Sequence, residues 1–503
     1  MKKISIKILL VSAFAFVISS CGEDFLETQP TEFISADRVA EISEINPGLQ
    51  LSNLQGIYAS MYTTGTGGTD LDHDDFGQKG YDIYSDFLSG DLVLGAQIYG
   101  WYSQFSQYLI TVDYTQTDNY QVWRYYYRII FGANLVIDGL GGEEVVPETI
   151  EGKQIMGQAK AMRAYGYFYL AQFLDENYEP NSPLIPIYRN TQVPNQPLSP
   201  TSDVYDLIVS DLTDAITLLD GFQRPGKFAV NQDVAKGLLA YTFAAMGENA
   251  KAAEQAKSVI DGGAYSIKTN APDGPDNAFT DITDGFNDVS DPSWMWGTDI
   301  TADMGIGLVS WWGQMDYFSY SYAAVGDYKS INYDLYESIP EDDYRKGQFA
   351  AFSDNDYVAI NKFYDPRRVV FGATRTVTTD LVYMRIEELY LLHAESAAKD
   401  GDEPSAKMSL KAVMENRIPD ASYIDALSGQ SLLEEIFLQT RIEFFGEGKS
   451  YLLKKRNEID VVLGPNHIND PGKVIPINSD EMSTEIPQLE IQNNPEISLS
   501  DAQ

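Results

Sequence analysis

The chain has 503 residues, of which 44% are hydrophobic and 22% charged, and its formal net charge is −39. So much acid repels phosphate backbones and anionic lipid faces, which excludes nucleic acid as a partner. The apolar content excludes wholesale disorder and can fill a sizeable core, and no run of about eighteen apolar residues is present to cross a bilayer as a helix.

The N-terminus is built as an export leader. Lys2, Lys3 and Lys7 are followed by an apolar run from Ile8 to Ile18, and Ser19-Ser20 lead to Cys21, the only cysteine. An apolar run of about eleven residues is too short to span a membrane and fits a cleavable signal over residues 1–20. A lone thiol in an exported chain is free, paired with another chain, or modified. Ile18-Ser19-Ser20-Cys21 resembles a bacterial lipobox, with Ile18 where leucine is usual, so Cys21 is the expected lipidation (palmitate-bearing) residue and the lipid the only link to the membrane. Residues 21–45 then read as an acidic, extended tether before a body spanning 46–503.

Helical spacing appears in several segments. Trp123, Tyr126, Tyr127, Ile130, Asn134 and Ile137 share one face between 115 and 138, and Ala159, Met162, Gly166, Tyr169 and Phe173 recur at three and four between 153 and 174. Val204 to Leu219 repeats the pattern. Residues 233–246 and 249–262 predict a helix pair whose alanines permit close approach, with a stop at Gly262-Gly263; tetratricopeptide unit and generic helix hairpin both fit it. A further pair is predicted over 383–399 and 404–417. The last helix is predicted to open with a capping box from Ser431 to Glu434. Long irregular stretches remain at 63–114, 178–200, 263–380 and 457–503, so the halves 46–262 and 263–503 differ in regularity.

No enzymatic constellation stands out. The three histidines, His73, His393 and His467, are scattered, and His393 sits in an apolar helix as a core residue. HExxH, paired-cysteine and GxSxG patterns are absent, so no metal, cofactor or catalytic residue is predicted. Gly448-Lys449-Ser450 lacks the first glycine of a phosphate loop and follows a helix. Asp70, Asp72 and Asp74 have calcium-loop spacing, but Asp75 replaces the turn glycine and Tyr81 the terminal glutamate, so a solvated acidic loop is expected. A pair of glycosidase carboxylates could lie anywhere among so many acids, which leaves a lipid-anchored glycoside hydrolase as a lesser alternative.

Aromatic side chains are the distinctive content. Trp294, Trp296, Trp311 and Trp312 precede Tyr317, Phe318, Tyr320 and Tyr322, and a second cluster runs from Tyr81 and Tyr84 through Tyr99, Trp101 and Tyr102 to Phe105 and Tyr108. Both clusters are expected outside the periodic helices, where rings on a rigid frame can stack against a sugar. Trp123 and Trp294 are assigned to structure. Tyr84, Trp101, Tyr102, Trp311, Trp312 and Tyr317 are the candidate ligand-binding residues.

Taken in order, these segments resemble the SusD/RagB family of Bacteroidota outer-membrane lipoproteins. The resemblance rests on Cys21 to Glu27, Trp123 to Asn134, Gly157 to Phe168, Val204 to Leu212, the hairpin 233–262, Arg385 to Ser396, Arg441 to Gly448 and Ile486 to Pro495. It departs at Gln158, where glutamate is usual, and from Glu496 onward. It implies a mainly α, SusD-like single domain with tetratricopeptide-like helix pairs, long irregular loops and a few short strands. Arg163, Arg385, Glu395 and Arg441 are expected to pair inside that array. It also implies a non-enzymatic binder of oligosaccharide, or alternatively of oligopeptide, anchored at the cell outer membrane and facing the exterior. Its implied partner is a SusC-like TonB-dependent barrel transporter, over which it acts as a lid.

Overall fold

The structure is a computed structural model that describes residues 42–43, 46–70, 72–269, 285–368 and 376–498. The leader, Cys21 and nearly all of the tether lie outside the described residues. Helices dominate, as expected. Helix α1 (Leu51–Ser60) and α2 (Gln78–Leu88) precede the long pair α3 (Thr117–Gly139) and α4 (Ile150–Leu174). Helices α5 (Thr201–Leu218), α6 (Gln232–Ala245), α7 (Asn249–Gly262), α8 (Ile386–Lys399) and α9 (Glu403–Met414) continue the array, and α10 (Gln430–Glu443) and α11 (Lys449–Arg456) close it. From α3 to α9 each helix packs on the next, the succession expected of stacked helix pairs. No described helix is long and apolar enough to cross a membrane.

Local chemistry explains these boundaries. Thr149 Oγ1 accepts from Gly152 N at 3.0 Å to cap α4, and Asn231 Oδ1 accepts from Val234 N at 3.0 Å to cap α6. Helix α7 stops at Gly263, whose φ of 65° is a left-handed C-cap. The α3–α4 contact needs Gly166: a Cβ there would meet Ile130 Cγ1 at 2.8 Å. Helix α4 is buried on nearly every side from Ile155 to Phe173, so its apolar pattern is less one-sided than its length suggests.

Three sequence expectations are corrected. Ser431 does not form a capping box: α10 begins one residue earlier, and the Ser431 hydroxyl donates back to Ser428 O at 2.9 Å. Tyr81 and Tyr84 lie on α2, a helix buried along its whole length, rather than in a loop. Tyr81, Tyr84, Phe87 and Leu88 repeat at helical spacing, and the polar face of the helix is buried too: Gln78 Nε2 donates to Asp82 Oδ1 at 2.9 Å and Lys79 pairs with Asp82 at 2.7 Å. Gly448-Lys449-Ser450 does open a helix, α11, but Lys449 is buried, paired with Glu388 at 3.3 Å and bonded to Tyr383 O at 3.1 Å. That lysine is structural.

Short strands stitch the irregular segments to the array. β1 (Leu92–Leu94), β2 (Trp294–Thr298), β3 (Lys329–Ile331), β4 (Ala350–Ala351), β5 (Tyr357–Val358) and β6 (Leu381–Arg385) make two antiparallel groups. One is a four-stranded sheet in the order β1-β3-β5-β4, with Leu92 opposite Ile331; the other pairs β2 with β6. Trp294 and Trp296 on β2 are fully buried, as Trp123 is on α3. A satellite core of Leu391, Leu410, Val413 and Ile436 fills the space between α8, α9 and α10.

The expected charge pairs form. Arg163 is buried and donates from Nε and Nη2 to the two oxygens of Asp211, each at 2.7 Å, and from Nη1 to Asn134 Oδ1 at 3.0 Å, joining α3, α4 and α5. Glu395 receives Arg456 through Nε at 2.8 Å, and Arg441 reaches Asp91 at 2.6 Å. Arg385 meets Glu443 at 2.7 Å and Glu447 at 2.8 Å. His393 is a core residue whose Nδ1 lies 2.8 Å from Ser409 Oγ.

Replacing Arg163 with Met leaves Asp211 buried and unpaired, so urea unfolding should show a loss of about 3–5 kcal/mol. Burial, opposed by the Gly90 carbonyl, brings the His467 pKa down to about 4 from 6.5. Between those values the unfolded chain binds a proton that the folded chain does not, so this contribution is complete above pH 6.5 and is lost as pH falls toward 4. The stability difference between wild type and H467Q should therefore shrink by about 3 kcal/mol across that window, measured by denaturant unfolding at each pH.

Candidate functional site

The chemistry of a turn sets the aromatic surface. Between β1 and residue 103 the backbone reverses through Gly100, at φ 80°, and Tyr102, at φ 64°. A non-glycine residue in the left-handed region is held there by its surroundings. The Tyr102 ring is 3% exposed and wedged between Tyr84, at a centroid distance of 5.8 Å, and Phe87, at 5.5 Å. Lys329 Nζ lies 5.1 Å over its face. Burial of Tyr102 leaves its neighbour Trp101 at the surface, partly exposed.

Trp101 stacks on His73 with centroids 4.8 Å apart and planes 11° from parallel. Tyr322 lies beside both rings, 5.6 Å from His73 and 6.2 Å from Trp101, and its hydroxyl contacts His73 Nδ1. Tyr99, 57% exposed, meets Tyr322 edge-on at 5.2 Å, and Tyr320 is exposed nearby in sequence. The patch thus draws on three distant segments, 72–75, 98–102 and 320–322.

Hydrogen bonds from buried side chains fix those segments to one another. Gln314 Nε2 donates to His73 O at 2.9 Å, and Lys329 Nζ donates to Gln314 Oε1 at 2.7 Å. Asp327 Oδ1 accepts from Ile98 N at 2.9 Å, and Tyr322 N donates to Gly313 O at 2.7 Å. Burial brings Lys329 down to about 8, opposed by the nearby Asp327 carboxylate. Burial also lowers His73 while Asp72 opposes the shift, so the imidazole is mainly neutral at pH 7 and can accept from or donate to a hydroxyl.

The predicted site residues divide sharply. Trp101 and Tyr317 are partly exposed, and Tyr317 packs edge-on against Phe352 at 4.9 Å rather than against Trp101. Tyr84, Tyr102, Trp311 and Trp312 are corrected: at 0%, 3%, 3% and 1% exposure they offer no face to a ligand. Tyr84 donates to Gln121 Oε1 at 2.9 Å, Trp312 Nε1 donates to Asp380 O at 3.2 Å, and Trp311 packs edge-on against Phe363 at 4.7 Å. These rings are the foundation under the patch. His73 was missed as a site residue because nothing in its acidic surroundings signals a stacking partner.

The acidic loop is also different from its expectation. Asp74 is buried rather than solvated, and burial, followed by the Asp118 carboxylate, raises it well above the usual carboxylate range. Asp75 Oδ1 accepts from Gly67 N at 2.8 Å, so the loop is closed on itself. Among the described residues no group of three or more His, Cys, Asp or Glu side chains is arranged to hold a metal ion.

Sequence and structural relatives agree with this architecture. Residues 90–240 match a family described as "Starch-binding associating with outer membrane", and residues 316–462 match the SusD family. The SusD-like protein P25 of Formosa agariphila is 27% identical over 166 residues, covering 33% of this chain and only 30% of that relative's length. A SusD-like carbohydrate binding protein from Bacteroides vulgatus superposes with a TM-score of 0.73 at 22% identity, covering 90% of this chain and 98% of the other. Surface glycan-binding protein A from Bacteroides thetaiotaomicron, solved with laminarihexaose, gives a TM-score of 0.67 at 15% identity, covering 89% and 98%.

The stacked imidazole should titrate in NMR spectra with a midpoint below 6.5, and Asp72→Asn, which removes the opposing charge, should lower it further. A midpoint above the free value would contradict the desolvated stack.

Proposed function

This chain belongs to the SusD/RagB family, and from that premise we propose that it is a non-catalytic, cell-surface carbohydrate-binding protein. The observation that carries the reading is the Trp101–His73 stack with Tyr99 and Tyr322 at its edges. A pyranose ring has an apolar face of C–H groups that fits an indole, and equatorial hydroxyls that fit a neutral imidazole and tyrosine hydroxyls. The rings are held by buried residues, so little ordering entropy is lost on binding. The glycan named with one structural relative supports sugar as the ligand class.

Trp101 is the primary contact in this reading, and Tyr317 belongs to an outer subsite with Phe352. The leader and Cys21 make the protein a lipoprotein, held at the outer membrane by acyl chains and facing the exterior. It acts as a lid on a TonB-dependent barrel transporter and hands captured oligosaccharide inward. Ligand favours the closed lid only to the extent that it binds the closed state more tightly than the open one.

Calorimetric titration of the purified protein with laminarihexaose and other neutral hexasaccharides tests the binding claim. At least one should bind, and W101A should weaken it about tenfold or more, equivalent to about 1.4 kcal/mol, without loss of fold. Binding that is untouched by W101A would refute the patch, and absence of any glycan binding alongside peptide binding would refute the ligand class.

A further inference from the structure

The outer face of α3 carries a concavity of about 530 Å³, closed by the segment 188–193 and by Glu490, and it shares no residue with the aromatic patch. Along the helix its lining recurs at three- and four-residue spacing as Trp123, Arg124, Tyr127, Arg128 and Phe131. Trp123 and Tyr127 have centroids 4.8 Å apart, and Tyr188 stands edge-on to Tyr127 at 5.7 Å. Their polar ends are already used: Trp123 Nε1 donates to Glu490 Oε2 at 3.3 Å, and the Tyr127 hydroxyl donates to Pro186 O at 2.7 Å. The aromatic walls are therefore fixed before any ligand arrives, and Phe131, 52% exposed, stands at the rim.

The two arginines are what this groove has left over. Most other guanidinium groups among the described residues find carboxylates, as Arg163 does with Asp211 and Arg456 with Glu395, while Arg224 and Arg368 bond to carbonyl and amide oxygens. Arg124 and Arg128 form no ion pair among the described residues, and Arg124 Nη1 donates to the neutral Tyr120 hydroxyl at 3.2 Å. Glu490, the acid in the lining, is occupied by Trp123 and by Asn494 Nδ2 at 3.0 Å. Two exposed cations one turn apart repel each other, so a bound anion would relieve that repulsion. A guanidinium recognises carboxylate or sulfate through paired N–H donors, and the volume suits a ligand of one or two rings.

We propose that this groove is a second binding site, one that takes an acidic sugar unit. The sugar ring packs against Tyr127, Tyr188 and Phe131, whose faces reach the groove while Trp123 backs them from the core, and its carboxylate or sulfate is held by Arg124 and Arg128. The choice of a sugar rests on the glycan-binding reading above; the requirement for an anion rests on the arginines alone.

The test is calorimetric titration of the purified protein with digalacturonate, with a monosulfated galactobiose and with neutral galactobiose, in low and in high salt. At least one acidic disaccharide should bind about tenfold more tightly than the neutral one in low salt, with the advantage shrinking in high salt. The double variant R124Q/R128Q should abolish that advantage, and because both side chains are exposed its circular dichroism and melting should match wild type. Digalacturonate alone responding identifies a carboxylate site, and the sulfated sugar alone a sulfate site. Neither acidic sugar exceeding the neutral one, or a preference that survives R124Q/R128Q, overturns the proposal. W101A separates the two readings: it should weaken neutral glycans at the patch and leave the acidic preference in place.

Discussion

A single buried carboxylate, Glu443 at the end of α10, ties the irregular turn at 343–348 and strand β6 to the C-terminal helices. Arg417 donates to it at 2.8 and 2.9 Å, Arg385 at 2.7 Å and Arg345 at 3.1 Å. Burial alone would raise its pKa; the three guanidiniums, Arg417 foremost, overcome that and hold it well below the usual carboxylate range. The three donors come from different places: the turn at 343–348, the end of β6, and the turn after α9. Charges buried so deeply contribute little net stability over an apolar packing of equal volume, but the loss of any one leaves another unmatched. The network therefore dictates arrangement more than it adds stability.

From that cluster a continuous path runs to the surface. Lys362 donates to Glu443 O at 2.9 Å, to Phe445 O at 2.8 Å and to Glu447 Oε1 at 2.9 Å, which pins the adjacent Phe363. Phe363 supports Trp311, Trp311 packs against Trp312 at 4.9 Å, and the short helix they begin supplies the carbonyl of Gly313 that holds Tyr322. A surface recognising a weakly held, hydroxyl-rich ligand gains from such rigidity, because each ring frozen in advance is one less ordering cost on binding. The acyl anchor expected at Cys21 and the patch then have separate tasks, one of location and one of capture.

Much of the helical array was legible because its helices bury one stripe and expose another, and α4, buried on nearly every side, still repeats bulky residues at three and four. Trp123 to Ile137 and Val204 to Leu219 announce themselves by spacing, and Gly262-Gly263 announces a stop. Helix α2 carries such a stripe in Tyr81, Tyr84, Phe87 and Leu88, but it is short, lies among Gly- and Asp-rich turns, and buries its polar face as well, where Gln78, Lys79, Asp82 and Asp86 find partners. The candidate site was legible only as a composition. Sequence placed tyrosine and tryptophan in loops, but which rings face outward depends on partners distant in the chain: Trp101 on His73 and Tyr322, Trp311 on Phe363. Tyr102 and Trp101 are adjacent, and only the left-handed turn decides that one is foundation and the other surface. Arg163, Arg385, Glu395 and Arg441 were predictable as paired residues because an apolar helix cannot bury a lone charge.

The most direct test of the account is a crystal structure of the protein with a bound neutral oligosaccharide. The sugar ring should sit over Trp101 within reach of His73 and Tyr99, with Tyr84, Tyr102, Trp311, Trp312 and Tyr322 still enclosed. A sugar seated elsewhere, or one that reaches Trp311 or Trp312 by opening the packing beneath the patch, would contradict it.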